Sequence, residues 1–298
     1  SQKPASKRDI AFVFQMFALY PHMNVRKNIS YPLISQGMPR PQVKAKVQEV
    51  AKILGIEALL DRPVGGLSGG DRQRVALGRA IVRDPACFLM DEPLGALDAE
   101  FREHMAEELR ALHDRMGATP IYVTHDQLEA MQMGDKIVVM NHGVVEQFGR
   151  PQDIYDWPAT RFVANFIGSP PMNFLPFHGL LGMGGTEVTL AGAVQRVPAM
   201  RDGAAGDPGF GVRPEHVRLS DSAGFKGRAV AVEYLGTTQI VTFDTACGQL
   251  KARLSSAERV EVGAQTGLSF DPRSVTIFDG QNGHALLSEA NERVLRHG

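Results

Sequence analysis

The chain has 298 residues, 43% hydrophobic and 22% charged, and its 32 basic and 33 acidic side chains leave a formal net charge of -1. That length accommodates one large or two ordinary domains with sizeable cores. The charge balance, without any long basic run, leaves no electrostatic footprint for nucleic acid, no apolar run approaches the roughly 20 residues needed to span a bilayer, and no signal peptide opens the sequence. Cys87 and Cys247 stand far apart without metal-ligand spacing and are expected as buried, reduced thiols of a cytosolic protein.

In chain order, Ile10–Gln15 mixes β-branched and aromatic residues and is predicted as a strand, with Met16–Pro21 the loop after it. Gln15, at the strand end, presents an amide carbonyl able to reach a metal and its water. Asn24–Ser30 and Pro41–Leu54 are predicted helices. Val43, Val47, Val50 and Leu54 share one face of the second, and Pro39 and Pro41 punctuate its start. Leu67-Ser68-Gly69-Gly70-Asp71 follows, then a predicted helix over Asp71–Arg83 whose one glycine is Gly78. Two glycines after Ser68 let backbone approach an anion closely, and a helix N-terminus with its positive dipole end suits a phosphate. Past Pro85, the short apolar run Ala86–Met90 is predicted as a buried parallel strand. Asp91 and Glu92 stand at its carboxyl end, where open α/β sheets place ligands, and a carboxylate pair there can hold a hydrated metal and activate a water.

Ala99–Met116 repeats Phe101, Met105, Leu109 and Leu112 against a charged face, the pattern of a helix covering a sheet, and Gly117 closes it. Thr119–Val123 is predicted as another short buried strand. His125 stands just past its end, where an imidazole can hydrogen-bond a phosphate and a water, and Asp126 is a candidate cap for the next helix. Lys136–Met140 and Val144–Phe148, joined through Asn141-His142-Gly143, are expected to complete the sheet around a tight turn. Pro151–Tyr155 and Thr160–Ile167 read as helices, and Gly168-Ser169-Pro170-Pro171 marks a boundary. Beyond it the texture changes to short alternating runs: Thr186–Leu190, Gly209–Arg213, Ala229–Tyr234, Gln239–Asp244, Gln249–Leu254 and Ser274–Phe278. Strands at this spacing predict a small antiparallel barrel.

Taken together, these residues resemble the ATPase subunit of ABC transporters. Leu67–Asp71 is similar to the signature loop, Cys87–Glu92 to the Walker B strand, Gly95–Asp98 to the D-loop, His125 to the switch histidine and Gln15 to the Q-loop glutamine. Gly211-Val212-Arg213-Pro214-Glu215-His216 and Gly168–Phe174 resemble the C-terminal OB-fold regulatory domain of maltose-type importer ATPases. This narrows the family to importers of carbohydrates, polyols and glycerol derivatives. The resemblance implies an α/β, P-loop NTPase-type ABC ATPase domain over residues 1–168, with a helical subdomain at about 16–85, followed by a β OB-fold-like domain over 169–298. It implies ATP and Mg2+, with Asp91 and Gln15 at the metal, Glu92 polarising the attacking water and His125 positioning the terminal phosphate. Ser68, Gly69, Gly70 and Asp98 would contact ATP partly across a sandwich of two ATPase subunits, a homo- or heterodimer. The implied partners are two transmembrane permease subunits and, indirectly, a substrate-binding protein, with the chain peripheral on the cytoplasmic face of the cell membrane and no nucleic acid involved.

Two features depart from the family pattern. No Gly-x-x-x-x-Gly-Lys-Ser/Thr loop occurs in the sequence, although its lysine and backbone grip the phosphates in such machines. An N-terminally incomplete ATPase, inactive as given, is therefore expected. Asp71 stands where the family usually has Gln. Its charge favours the helix dipole yet repels an ATP closing on the same helix end, so either closure is weakened or Asp71 is paired with a neighbouring arginine, Arg72 or Arg74, and is without effect. Two other readings compete. A soluble ABC ATPase of DNA repair or translation would share the ATP motifs but not the barrel, and a catalytically silent regulatory fragment fits the missing loop but not an intact Glu92 and His125.

Overall fold

The computed structural model describes residues 4, 8–95, 99–116, 119–177, 181–203 and 207–296. It divides into two compact units, Ser1–Gly134 and Asp135–Gly298.

The first unit is built on a three-stranded parallel sheet in the order β1 (Ile10–Val13), β2 (Cys87–Asp91), β3 (Thr119–Val123). Ile10 aligns with Cys87 and Cys87 with Thr119, so the three strands end at one level. Parallel neighbours need crossovers, and the β1 to β2 crossover holds α1 (Val25–Ser35), α2 (Arg40–Ile53) and α3 (Gly69–Ile81). Helix α4 (Ala99–Met116) links β2 to β3, and α5 (Gln127–Met133) follows. Helix α1 continues past the predicted end at Ser30 and carries Pro32 inside it. The proline removes one ladder donor, and Ile29 and Leu33 are anchored in the core on either side of it. The side chains of Val25, Ile29, Val47, Val75, Leu77, Phe88 and Leu109 form a single core, each fully buried aliphatic group contributing roughly 1.5–3 kcal/mol. Gly78 explains itself here: a Cβ at that position would meet side-chain atoms of Leu54, Ile29 and Val50 at 3.1, 3.2 and 3.3 Å. A residue that costs helix propensity thus lets α1, α2 and α3 approach.

Two expectations are corrected in this region. Strand β3 is half-exposed rather than buried, because only one of its faces meets the core: Tyr122 packs against it, while Ile121 and Val123 on the opposite face are exposed. Strands β4 (Ile137–Asn141) and β5 (Val144–Gly149) do not extend the parallel sheet but form a two-stranded sheet of their own in the second unit. His142 and Gly143, at φ 46° and 82°, supply the left-handed pair that such a tight turn requires. Gly117 lies outside the described residues.

The second unit continues through α6 (Pro151–Asp156) and α7 (Arg161–Phe166) into short strands: β6 (Asn173–Pro176), β7 (Glu187–Leu190), β8 (Ala193–Arg196), β9 (Gly209–Val212) and β10 (Val217–Leu219). Then come β11 (Lys226–Tyr234), β12 (Thr238–Thr245), β13 (Gly248–Ser255), β14 (Gln265–Phe270), β15 (Val275–Phe278) and a last short helix, α8 (Glu292–Leu295). A five-stranded antiparallel sheet in the order β10-β14-β11-β12-β13 and a three-stranded one in the order β15-β9-β6 share a core of Phe210, Val212, Phe243, Leu250, Leu268 and Ile277. The expected β domain is present, with β6, β8, β10 and β14 added to the strands legible in the sequence. Arg213, only 1% exposed, reaches from the end of β9 to the preceding helices. Its guanidinium donates to the carbonyl oxygens of Tyr155, Ala164 and Ile167 and lies 4.2 Å from the centre of the Tyr155 ring. The Tyr155 hydroxyl donates to Glu215 at 2.6 Å, and burial with this contact pushes its pKa up to about 12. Gly168 is required beside this arginine. Its φ is +111°, and a Cβ there would lie 2.7 Å from an Arg213 nitrogen. Cys87 and Cys247 are free and half-buried rather than buried.

Candidate functional site

Parallel strands in register place their carboxyl ends side by side, and three polar residues far apart in sequence meet there. Glu92 follows β2 directly. Its N–H donates to the Val123 carbonyl at the end of β3 at 2.8 Å, and Gly95 N–H donates to the Glu92 carbonyl at 3.1 Å. These bonds hold Glu92 at φ 43°, in the left-handed region, a conformation that costs a non-glycine residue on the order of 1–3 kcal/mol and collects at functional sites. The turn aims its carboxylate along the strand ends. Gln15 Nε2, from the turn after β1, donates to Glu92 Oε2 at 2.8 Å. His125 Nδ1, from the turn after β3, lies 2.9 Å from Glu92 Oε1. That hydrogen bond, together with the carboxylate charge, raises the pKa of the exposed imidazole.

The groups left open are as informative as the bonds made. Asp91, exposed at the end of β2, has no side-chain partner among the described residues, and neither does the carbonyl oxygen of Gln15, whose amide nitrogen is the part engaged by Glu92. One free carboxylate and one free amide oxygen beside the cluster fit a hard cation such as Mg2+, which takes one or two protein oxygens and completes its shell with water and phosphate. Among the described residues no group of three or more His, Cys, Asp or Glu side chains is arranged to hold a metal ion.

Two supporting networks have no signature in the sequence. The turn before Gln15's loop closes runs through Phe17 and Ala18 at φ 60° and 46°. Arg79 of α3 holds it, donating to the carbonyls of Ala18 and Phe17 at 2.8 and 3.0 Å with its guanidinium 5.3 Å from the Tyr20 ring centre. Buried Asn28 completes the clamp, accepting from Tyr20 N–H at 2.8 Å and donating to the carbonyls of Tyr20, Met23 and Asn24. Under His125, Glu129 accepts from the hydroxyls of Thr124 and Tyr122 at 2.8 and 3.1 Å, with Arg102 of α4 3.8 Å away. Burial and the Glu129 charge push the Tyr122 pKa up. The Asp126 cap expected from the sequence is present, accepting from Leu128 and Glu129 N–H. Arg79, Asn28 and Glu129 are polar residues inside helical patterns, and only their being buried or half-buried against a turn distinguishes them.

Ser68, Gly69 and Gly70 form the N-terminus of α3, with Ser68 as N-cap, and make no hydrogen bond to the Gln15, Glu92 and His125 cluster among the described residues. Asp98 lies outside the described residues.

The family model described as "ABC transporter" matches residues 1–95, and that described as "TOBE domain" matches residues 210–278. Over 296 residues the chain is 44% identical to the trehalose/maltose import ATP-binding protein MalK of Thermococcus litoralis, covering 95% of this chain and 80% of that protein. It is 43% identical to the trehalose import ATP-binding protein SugC of Mycobacterium tuberculosis, at 96% and 81% coverage. The sn-glycerol-3-phosphate import ATP-binding protein UgpC of a Ruegeria species is 46% identical, at 94% and 79% coverage. Among solved structures, cbiO1 from Clostridium perfringens, part of the ABC transporter complex cbiONQ, aligns with 49% of this chain and 59% of its own at 29% identity and a TM-score of 0.47.

Proposed function

This chain belongs to the family of ABC importer ATP-binding proteins, and from that premise we propose that it powers the import of a carbohydrate, polyol or glycerol derivative by hydrolysing ATP. The observation that carries the reading is the meeting of Gln15, Glu92 and His125 at the ends of three adjacent parallel strands. Glu92 acts as the base that polarises the attacking water, and His125 holds the terminal phosphate. Both carboxylate oxygens of Glu92 are engaged, one by Gln15 and one by His125, so the two side chains fix the orientation of the base. Mg2+, when bound, neutralises developing phosphate charge, and Asp91 and Gln15 Oε1 are the groups that would hold it. Ser68, Gly69, Gly70 and Asp98 serve an ATP shared with a second ATPase subunit.

No Gly-x-x-x-x-Gly-Lys-Ser/Thr loop occurs among these 298 residues, so ATP binding, closure and hydrolysis are measured in the assembled transporter with the phosphate loop restored. Among the described residues no helix is long and apolar enough to cross a membrane. By analogy with its importer relatives, coupling to transport runs through two permease subunits at the cytoplasmic face of the membrane, and substrate choice falls to them and to a substrate-binding protein. Residues 1–168 supply the ATPase machinery and 169–298 the regulatory OB-fold-like domain. The β domain weighs against a DNA-repair or translation ATPase, and Glu92 with His125 against a silent module.

The test is Glu92→Gln in the assembled transporter. Steady-state hydrolysis should fall by about 100-fold or more, while closed dimers accumulate because the amide keeps the shape and loses the base. Hydrolysis within severalfold of wild type would remove Glu92 from the role of base.

A further inference from the structure

The first turn of α3 carries a contact that the mechanism above does not use. Asp71 N–H donates to Ser68 Oγ at 3.1 Å, the ordinary N-cap bond, and Ser68 returns its own hydroxyl proton to Asp71 Oδ2 at 2.8 Å. In the usual reciprocal cap an acidic side chain at this position reaches back to the backbone N–H of the N-cap residue. Here it takes the side-chain hydroxyl instead. The other carboxylate oxygen lies 3.6 Å from Arg74 Nη1, beyond hydrogen-bond distance. Arg74 commits its fork to Glu108 on α4, at 3.1 and 2.9 Å.

We propose that Asp71 is an internal stand-in for phosphate at the signature loop, holding the Ser68 hydroxyl and the positive end of α3 until a nucleotide displaces it. The proposal rests on the assignment of Ser68, Gly69 and Gly70 as nucleotide contacts. A serine hydroxyl has one proton to give, and giving it to a charged acceptor makes a strong bond that a phosphate oxygen must replace. The carboxylate and an incoming phosphate also compete for the same partial positive charge at the helix end. Arg74, 3.6 Å away, offsets part of the Asp71 charge, but the bidentate pairing that would neutralise a carboxylate fully is made to Glu108 and not to Asp71. The same residue thus stabilises the helix in the open state and opposes closure on ATP, which makes it an affinity-setting residue of the site.

The experiment follows closure of the assembled transporter with a non-hydrolysable ATP analogue, read by a fluorescent pair across the two ATPase subunits. Asp71→Gln should lower the analogue concentration for half-maximal closure by about fivefold, the size of one charge at a helix terminus, and Asp71→Asn should do the same. The gap between wild type and either variant should narrow as salt screens the charge. Ser68→Ala should weaken closure more in the Asp71→Gln background than in wild type, where the hydroxyl is already engaged; this non-additivity is the signature of the latch. If Asp71→Gln closes at the wild-type concentration while Ser68→Ala weakens both backgrounds alike, the latch is overturned and the nucleotide assignment stands. If Ser68→Ala changes closure in neither background, that assignment fails and takes the proposal with it.

Discussion

The cluster around Glu92 in the first unit and the arginine at position 213 in the second handle charge in opposite ways. Arg213 is buried, and three backbone carbonyls with an aromatic face satisfy it from within its own chain. Burial alone lowers its pKa, offset in part by the Tyr155 and Glu215 charges. Glu92, Gln15 and His125 sit at strand ends in contact with solvent, one of them in a strained backbone conformation, with Asp91 and the Gln15 carbonyl oxygen left open beside them. A polar group whose valences are all filled by the chain fixes geometry. One that keeps valences open, on a backbone held rigidly by its neighbours, is available to a ligand. The contrast separates architecture from chemistry without reference to any relative.

Three substitutions sharpen or break that contrast. The largest effect expected is on turnover: Glu92→Gln should remove about 100-fold or more of ATP hydrolysis while leaving thermal stability close to wild type, because its two hydrogen-bond partners are exposed. A large fall in the unfolding midpoint would make Glu92 an architectural residue. Next, Arg213→Met should cost about 3 kcal/mol or more in chemical denaturation, since it strands buried carbonyls at roughly 1–3 kcal/mol each. A loss below about 1 kcal/mol would show those carbonyls to be satisfied by water. Arg79→Lys should lower kcat about tenfold at nearly unchanged KM, because a point charge cannot fork to both loop carbonyls; full activity with lysine would mean that charge and not the fork holds the Gln15 turn.

The smallest effect concerns His125. Its folded-state pKa is raised above the unfolded value, first by the hydrogen bond to Glu92 and then by that residue's charge. The pairing therefore contributes fully below the unfolded imidazole value and is lost as pH rises through the raised folded one. An NMR titration of His125 should show its midpoint falling toward the ordinary value in Glu92→Gln. An unmoved midpoint would exclude a charged contact.

Much of the first unit was legible because its signals are local. The apolar face of α2, the Asp126 cap and the short apolar run of β2 each announce themselves within one window of sequence. Two of the strands added in the second unit are of a different kind: β6 contains a proline, and β10 has three residues, too few for period-2 alternation to register. The one-sided exposure of β3 was equally hidden, since its composition is that of a buried strand and its exposure depends on which face meets the core. Gln15, Glu92 and His125 were each nameable from their motifs, but that one carboxylate accepts from both of the others is a fact of strand register.

The sequence by itself determined the family, the α/β and β halves and the residue types offered for chemistry, because helix caps, glycine pairs and hydrophobic periods are properties of neighbouring residues. Only the tertiary structure decided which of those residues work together. The left-handed turn at Glu92, the Arg79 clamp on the Gln15 loop and the fork of Arg74 to Glu108 join residues far apart in the chain. No local pattern specifies such contacts, since they are set by the register of parallel strands and the packing of α3 and α4 rather than by any preference of the side chains themselves.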